Sequence, residues 1–235
     1  MKPWGYWATA AFAIAAFAVG QFAALAFVVF WRSGQLYQVL STPFDGVLVS
    51  LFILISNPIS IAIIWLAVWL AKANAVDYLA LRWPNRRDLT TGLILLVGLI
   101  ALSDALLYLS GRDLVTPFQL QSYTTARAEG WLPEMLVAAI LVAPAGEEIL
   151  FRGFLFRGFV RSPAMAWPAI VVISILWAAL HVQYDWAGIL QIFIIGLFLG
   201  WMRWRSDSLL LTFVLHALFN LEGTLETVLQ VRFFS

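Results

Sequence analysis

From Trp7 to Trp31, and again from Val47 to Ala71, the sequence runs without a single charged side chain. About 20 apolar residues suffice for a helix to cross the hydrocarbon core of a bilayer, so each run is long enough to span one. The whole chain has this character. Of its 235 residues 63% are hydrophobic and 11% charged, with a mean hydropathy of +0.90, against roughly 45–50% apolar and about 25% charged in soluble domains. The expected fold class is all-α, a polytopic membrane helix bundle of about seven to eight transmembrane helices. It forms a single membrane domain over 1–235, with N-terminal helices in 1–130 and a core in 131–221.

The first run exceeds the roughly 7–15-residue apolar core of a signal peptide and lacks a convincing cleavage site, so it reads as a retained helix. The second contains Pro58, expected to kink it, which is tolerated where neighbours satisfy the freed backbone groups. After a polar connection from Lys72 to Asp88, a third span covers Leu89 to Leu109 and carries Asp104, read as structural or interfacial. The segment from Gly111 to Gly130 reads as an external loop or a short surface helix.

Pro133 and Glu134 open a fourth helix that reaches Arg161, as proline and acidic residues do in a first turn. Ser162-Pro163 turns the chain. A fifth helix, Ala166 to Val182, carries His181, and a sixth, Trp186 to Trp204, carries Gly196 and Gly200, a close-packing pattern. Beyond a turn at Arg205-Ser206-Asp207, a seventh helix from Leu209 carries His216 and Asn220, and the tail from Leu221 reads as a short eighth. The tryptophans fall mostly at span ends, as interface anchors. An N-terminus in the cytoplasm puts Lys2, the Lys72–Arg87 cluster, Arg157, Arg161, Arg203 and Arg205 inside, in keeping with the positive-inside rule. The expected setting is the cell membrane, with lipid as a partner.

Several chemistries are closed. With no cysteine there is no disulfide, thiolate metal site or cysteine nucleophile, and a net charge of +1 argues against a nucleic-acid partner. Against this background Glu147, Glu148 and Arg152 stand out in an apolar helix, where each charge costs a few kcal/mol, on the order of 2.5–3.5 on insertion scales. Glu148 and Arg152 are four apart and share a helix face, so they pair. Glu147 is left without a local partner.

Depth counting tests which groups can meet it. At 1.5 Å per residue, Glu147 lies about 23 Å back from the turn at Ser162-Pro163 and His181 about 27 Å forward. His216 lies only about 14 Å from its own turn, a mismatch of about 10 Å that tilt and unequal turn depths could absorb. A carboxylate beside a histidine can hold a water and take its proton as it attacks a carbonyl. A second histidine with an asparagine amide can hold the oxyanion. This gives Glu147 and His181 the water, and His216 and Asn220 the oxyanion. Zinc held by Glu147, His181 and His216 is the rival, but the helical His-Glu-x-x-His motif is absent, so no cofactor is expected.

The sequence Glu147-Glu148-x-x-x-Arg152, then Trp177-x-x-x-His181, then His216-x-x-x-Asn220 resembles the CPBP (CAAX protease and bacteriocin-processing, or Abi) intramembrane proteases, which include the type II CAAX prenyl endopeptidases. Order and spacing agree over about Trp131 to Leu221. Tryptophan replaces the family's phenylalanine at Trp177, a change expected to bear on pocket shape more than on chemistry. The resemblance implies an intramembrane endopeptidase with the first glutamate as base and a peptide or membrane-anchored protein substrate, which in one branch is prenylated. Two other classes stay open: a non-catalytic bacteriocin self-immunity or scaffold protein, and a proton-coupled transporter, since intramembrane carboxylates and histidines also serve as relays.

Overall fold

A computed structural model describes residues 4–32, 34–42 and 44–233; Lys2 of the orientation argument lies outside them. Every regular element among these residues is helical. Five helices are long and apolar enough to span a bilayer: α1 (Tyr6–Trp31), α3 (Gly46–Leu70), α5 (Arg86–Leu109), α9 (Trp186–Ser206) and α10 (Leu209–Phe233). Between them lie the short α2 (Leu36–Ser41), α4 (Ala75–Leu79) and α6 (Pro117–Ala128), and the 14-residue apolar helix α8 (Ala166–Ala179). The protein is an integral, multi-pass membrane protein.

The element that carries the glutamates, α7, runs unbroken from 132 to 159 but is not uniform. Leu132–Val137 is α-helical, Ala138–Val142 π-helical, Ala143–Glu147 α-helical, Glu148–Leu155 π-helical and Phe156–Phe159 α-helical. π turns are rare and concentrate at functional sites. Helices α1 and α3 pack along their length, the Ser60 hydroxyl donating to the Ala16 carbonyl at 2.9 Å. Helix α9 lies close against α8 because Gly196 and Gly200 lack a Cβ, which would come within 2.9 Å of Ser174 and 2.8 Å of Ile170.

Three expectations are corrected. The tail from Leu221 forms no eighth helix; α10 continues through it to Phe233, its hydroxyls at Thr224 and Thr227 bonding carbonyls four residues back. The segment before Trp131, read as a loop or a short surface helix, is not among them: it holds a short helix, α6, started by a capping box in which Thr116 and Gln119 satisfy each other's backbone. Helix α8 ends at Ala179, so His181 lies in the turn beyond it. Arg203, assigned to the inner surface by charge, points inward instead: it is buried and donates to the Arg152 carbonyl (3.0 Å) and to Asp207 (2.8 Å).

Candidate active site

Glu148 and Arg152 face the interior from α7, each with a side chain 1% exposed, and pair at 2.9 Å. The same Glu148 oxygen, Oε1, also accepts from His216 Nδ1 at 3.0 Å. The Arg152 guanidinium lies over the Trp177 ring, 4.3 Å from its centroid. A buried carboxylate left without its partner costs about 3–5 kcal/mol. Two cationic or donor groups on one oxygen make this carboxylate tolerable at depth, although Glu148 Oε2 and Arg152 Nε find no partner of their own.

Glu147 differs in every respect. Its side chain is 26% exposed, and it stands where two cavities of about 640 and 670 Å³ meet. One cavity, though its lining is more apolar than polar, carries the side chains of Asp104, Gln191 and Glu222. The other is mostly apolar, lined by Phe17, Phe52, Leu150 and Phe151. Glu147 does have a neighbour after all: the Trp177 indole N–H donates to its Oε2 at 2.5 Å. The replacement of phenylalanine by Trp177 therefore reaches the carboxylate itself and not only the shape of the pocket, because a phenyl ring has no donor.

His216 bridges the two glutamates. Its Nδ1 faces Glu148 and its Nε2 lies 4.0 Å from Glu147 Oε2. The depth mismatch counted along the chain vanishes because the turn before α10 is sunk into the protein. Ser208 is fully buried, its hydroxyl donating to the Arg82 carbonyl at 2.6 Å, and Leu209 N–H donates to the Ala80 carbonyl at 2.9 Å.

His181 shares both cavities with Glu147 but makes no hydrogen bond or ion pair to it. Its Nδ1 donates to the Trp177 carbonyl at 2.8 Å, alongside the longer bond that carbonyl accepts from Leu180 N–H at 3.3 Å. A carbonyl can only accept, so Nδ1 carries a proton, and in the neutral tautomer Nε2 is the acceptor. Tyr184 stacks on His181 at 6.3 Å. Burial, and then the charge of Glu147, push its phenol above the usual range, so it stays a neutral donor.

Asn220 contacts neither glutamate. Its Nδ2 donates to the Ala139 carbonyl at 2.8 Å. That carbonyl lies in the π turn, where Ala143 N–H reaches back to Ala138. The next donor in this register would be residue 144, which is proline and has none. A buried carbonyl without a partner costs about 1–3 kcal/mol, and the Asn220 amide removes that cost.

Two further features go unread in the sequence, Asn57 altogether and Asp104 in its partners, since it reads there only as structural or interfacial. Asn57 of α3 sits against Gly146, where a Cβ would lie 1.9 Å from its Oδ1, so the residue before Glu147 must be glycine for α3 to approach. At the far side of the first cavity, Asp104, Glu222 and Glu226 bring their oxygens within 4.8 Å of one another. Among the described residues these are the side chains close enough to share a metal. Glu147, His181 and His216, the set named for the rival zinc, do not bring three ligand atoms within that distance of one another.

A polytopic helical membrane protein with a buried Glu–Arg–His group beside a cavity-facing glutamate is the class that fold and site define. Residues 129–221 match the model of the family described as Type II CAAX prenyl endopeptidase Rce1-like, consistent with a CPBP family intramembrane protease. An Escherichia coli relative, described as an uncharacterized 24.3 kDa protein, is 31% identical over 126 residues, which is 52% of this chain and 58% of that protein. The aligned part thus spans little more than half of the relative. No solved structure matches.

Proposed function

We propose that this protein is an intramembrane endopeptidase in which Glu147 is the general base. The observation that supports this reading best is the contrast between the two glutamates, with Glu148 sealed and paired and Glu147 open at the junction of two cavities. A water between Glu147 and His181 Nε2 loses a proton to Glu147 as its oxygen attacks the peptide carbonyl. Glu147 then gives that proton to the leaving amine as the C–N bond breaks. The Trp177 N–H holds one carboxylate oxygen and leaves the other for the water. His216, with Nδ1 on Glu148, presents Nε2 to the same space and as imidazolium donates to the oxyanion. One Asn220 amide hydrogen is committed to Ala139, so we give the oxyanion to His216.

The substrate is a peptide or membrane-anchored protein cut near the membrane surface, its polar chain in one cavity and an apolar group, prenyl or side chain, in the other. The loop charges support a cytoplasmic N-terminus in the cell membrane. Comparison of membrane and secreted peptides from cells carrying the wild type or Glu147→Gln identifies the substrate. Cleavage is expected to fall by about 10⁴-fold or more in Glu147→Gln and to survive exhaustive chelation. Wild-type rates in a folded Glu147→Gln protein would overturn the base assignment, and turnover that needs stoichiometric zinc would overturn the metal-free step.

One observation favours a second reading, proton-coupled transport: Asp104, Glu222 and Glu226 lie in the same cavity as Glu147 and His216. Acid-driven flux in proteoliposomes, with no peptide accumulating in Glu147→Gln cells, would favour it.

A further inference from the structure

We infer that Asn220 is a positioning residue: it acts on the site through the backbone of α7, by supplying to the Ala139 carbonyl the donor that Pro144 lacks. The register is explicit. Ala143 N–H reaches Ala138, five residues back, so the Ala139 carbonyl would be served by the N–H of residue 144, and proline has none. Asn220 Nδ2 stands in its place at 2.8 Å.

The consequence is a grip at two points. Helix α10 holds α7 at Ala139 through Asn220, and at Glu148 through His216 one turn earlier. Glu147 lies between those points on α7, and its Oε2 stands 4.0 Å from His216 Nε2. Releasing the Asn220 end leaves the π turn without its donor and lets the carboxylate drift from the histidine. A shift of about 1 Å at reacting groups costs on the order of a hundredfold in rate.

The test is a double-mutant cycle on Asn220→Ala and Pro144→Ala, read by hydrogen–deuterium exchange over residues 136–148 in the purified full chain. Alanine at 144 brings an N–H that can serve the π turn from within the helix. With Pro144 in place, N220A is expected to speed exchange in this segment by about tenfold or more, in proportion to the lost bond. In the P144A background the same substitution is expected to change exchange less than about threefold. Should N220A fail to accumulate, the comparison of N220A/P144A with P144A carries the result, and failure of that double variant to fold overturns the inference. Equal effects of N220A in the two backgrounds, or none in either, also overturn it.

The activity arm rests on the peptidase reading; the exchange arm does not. Cleavage of the peptide that accumulates with E147Q should fall about a hundredfold in N220A and recover in the double variant to the level of P144A. Loss of cleavage with wild-type exchange, unrelieved by P144A, would make Asn220 an oxyanion donor and overturn the positioning role. Absence of any cleavage by the wild type would count against the peptidase reading alone.

Discussion

Helices α3 and α7 each carry a proline in their interior, Pro58 and Pro144, and an asparagine amide bonds the carbonyl five residues before each. In α3 the amide is that of Asn57 on the same helix, bonding Ile53 at 3.2 Å, and the helix stays α-helical throughout with Pro58 exposed. In α7 the helix widens into a π turn, Pro144 is buried, and the amide comes from another helix. In the α register of α3 the carbonyl that Pro58 leaves without its N–H is that of Leu54, not Ile53, so the Asn57 amide replaces nothing and α3 keeps its form without a substitute donor. In α7 the borrowed donor ties the helix to its lender, and the chain uses the tie where the glutamates sit.

That contrast can be broken at four places. Arg152→Ala strikes the most gripped part of α7 and leaves Glu148 buried without its cation, an expected loss of about 3–5 kcal/mol. Thermal unfolding in detergent should show it, and Glu148→Gln in the same chain should recover part of the loss. Next is Gly146→Ala, where α3 and α7 meet. The added methyl overlaps Asn57, and overpacking of this kind costs about 1–3 kcal/mol. Asn57→Gly should relieve it more than Asn57→Ala, whose Cβ stays 2.8 Å away; equal relief would show that only the amide is in the way.

Trp177→Phe removes a donor from Glu147 while keeping a ring. A hydrogen bond to a charged group is worth about 1.5–3 kcal/mol, so cleavage should fall by about tenfold or more in a protein whose melting temperature barely moves. A large fall in melting temperature would instead mark the indole as packing alone. Pro58→Ala should do least, within about 1 kcal/mol by unfolding, because its face is exposed and α3 holds its own shape. A drop as large as that of Gly146→Ala would erase the distinction between the two helices.

Most of the helices were legible, since apolar length and flanking charge announce a span. So was the Glu148–Arg152 pair, because residues four apart on a helix must meet. What escaped depended on three-dimensional registration. Depth counting left His216 with a mismatch that unequal turn depths could absorb but could not say how; Ser208 and Leu209 are buried against the 80–82 backbone. His181 reads as helical by composition, yet its ring caps the end of α8. Nothing in the string around Asn57 distinguishes it from other polar residues in spans, and Asp104, visible as a charge within a span, gives no sign of its partners; Gly146 and the pair Glu222–Glu226 lie far along the chain. The π turn at Ala138–Val142 follows from Pro144 only in retrospect, since Pro58 provokes none, and the one at Glu148–Leu155 has no proline behind it.

The sunken turn before α10 also bears on how the protein sits in its lipid. His216 takes its height from the hydrogen bonds that Ser208 and Leu209, eight and seven residues before it, make to the carbonyls of Arg82 and Ala80, and Glu148 is fastened to His216. The hydrocarbon is not part of that chain of attachments. A thicker or thinner bilayer is accommodated by tilt of outer spans, of which α5 buries the smallest share of itself. The reacting groups then keep their spacing in membranes of different thickness, because the scaffold that sets their level is peptide and not lipid.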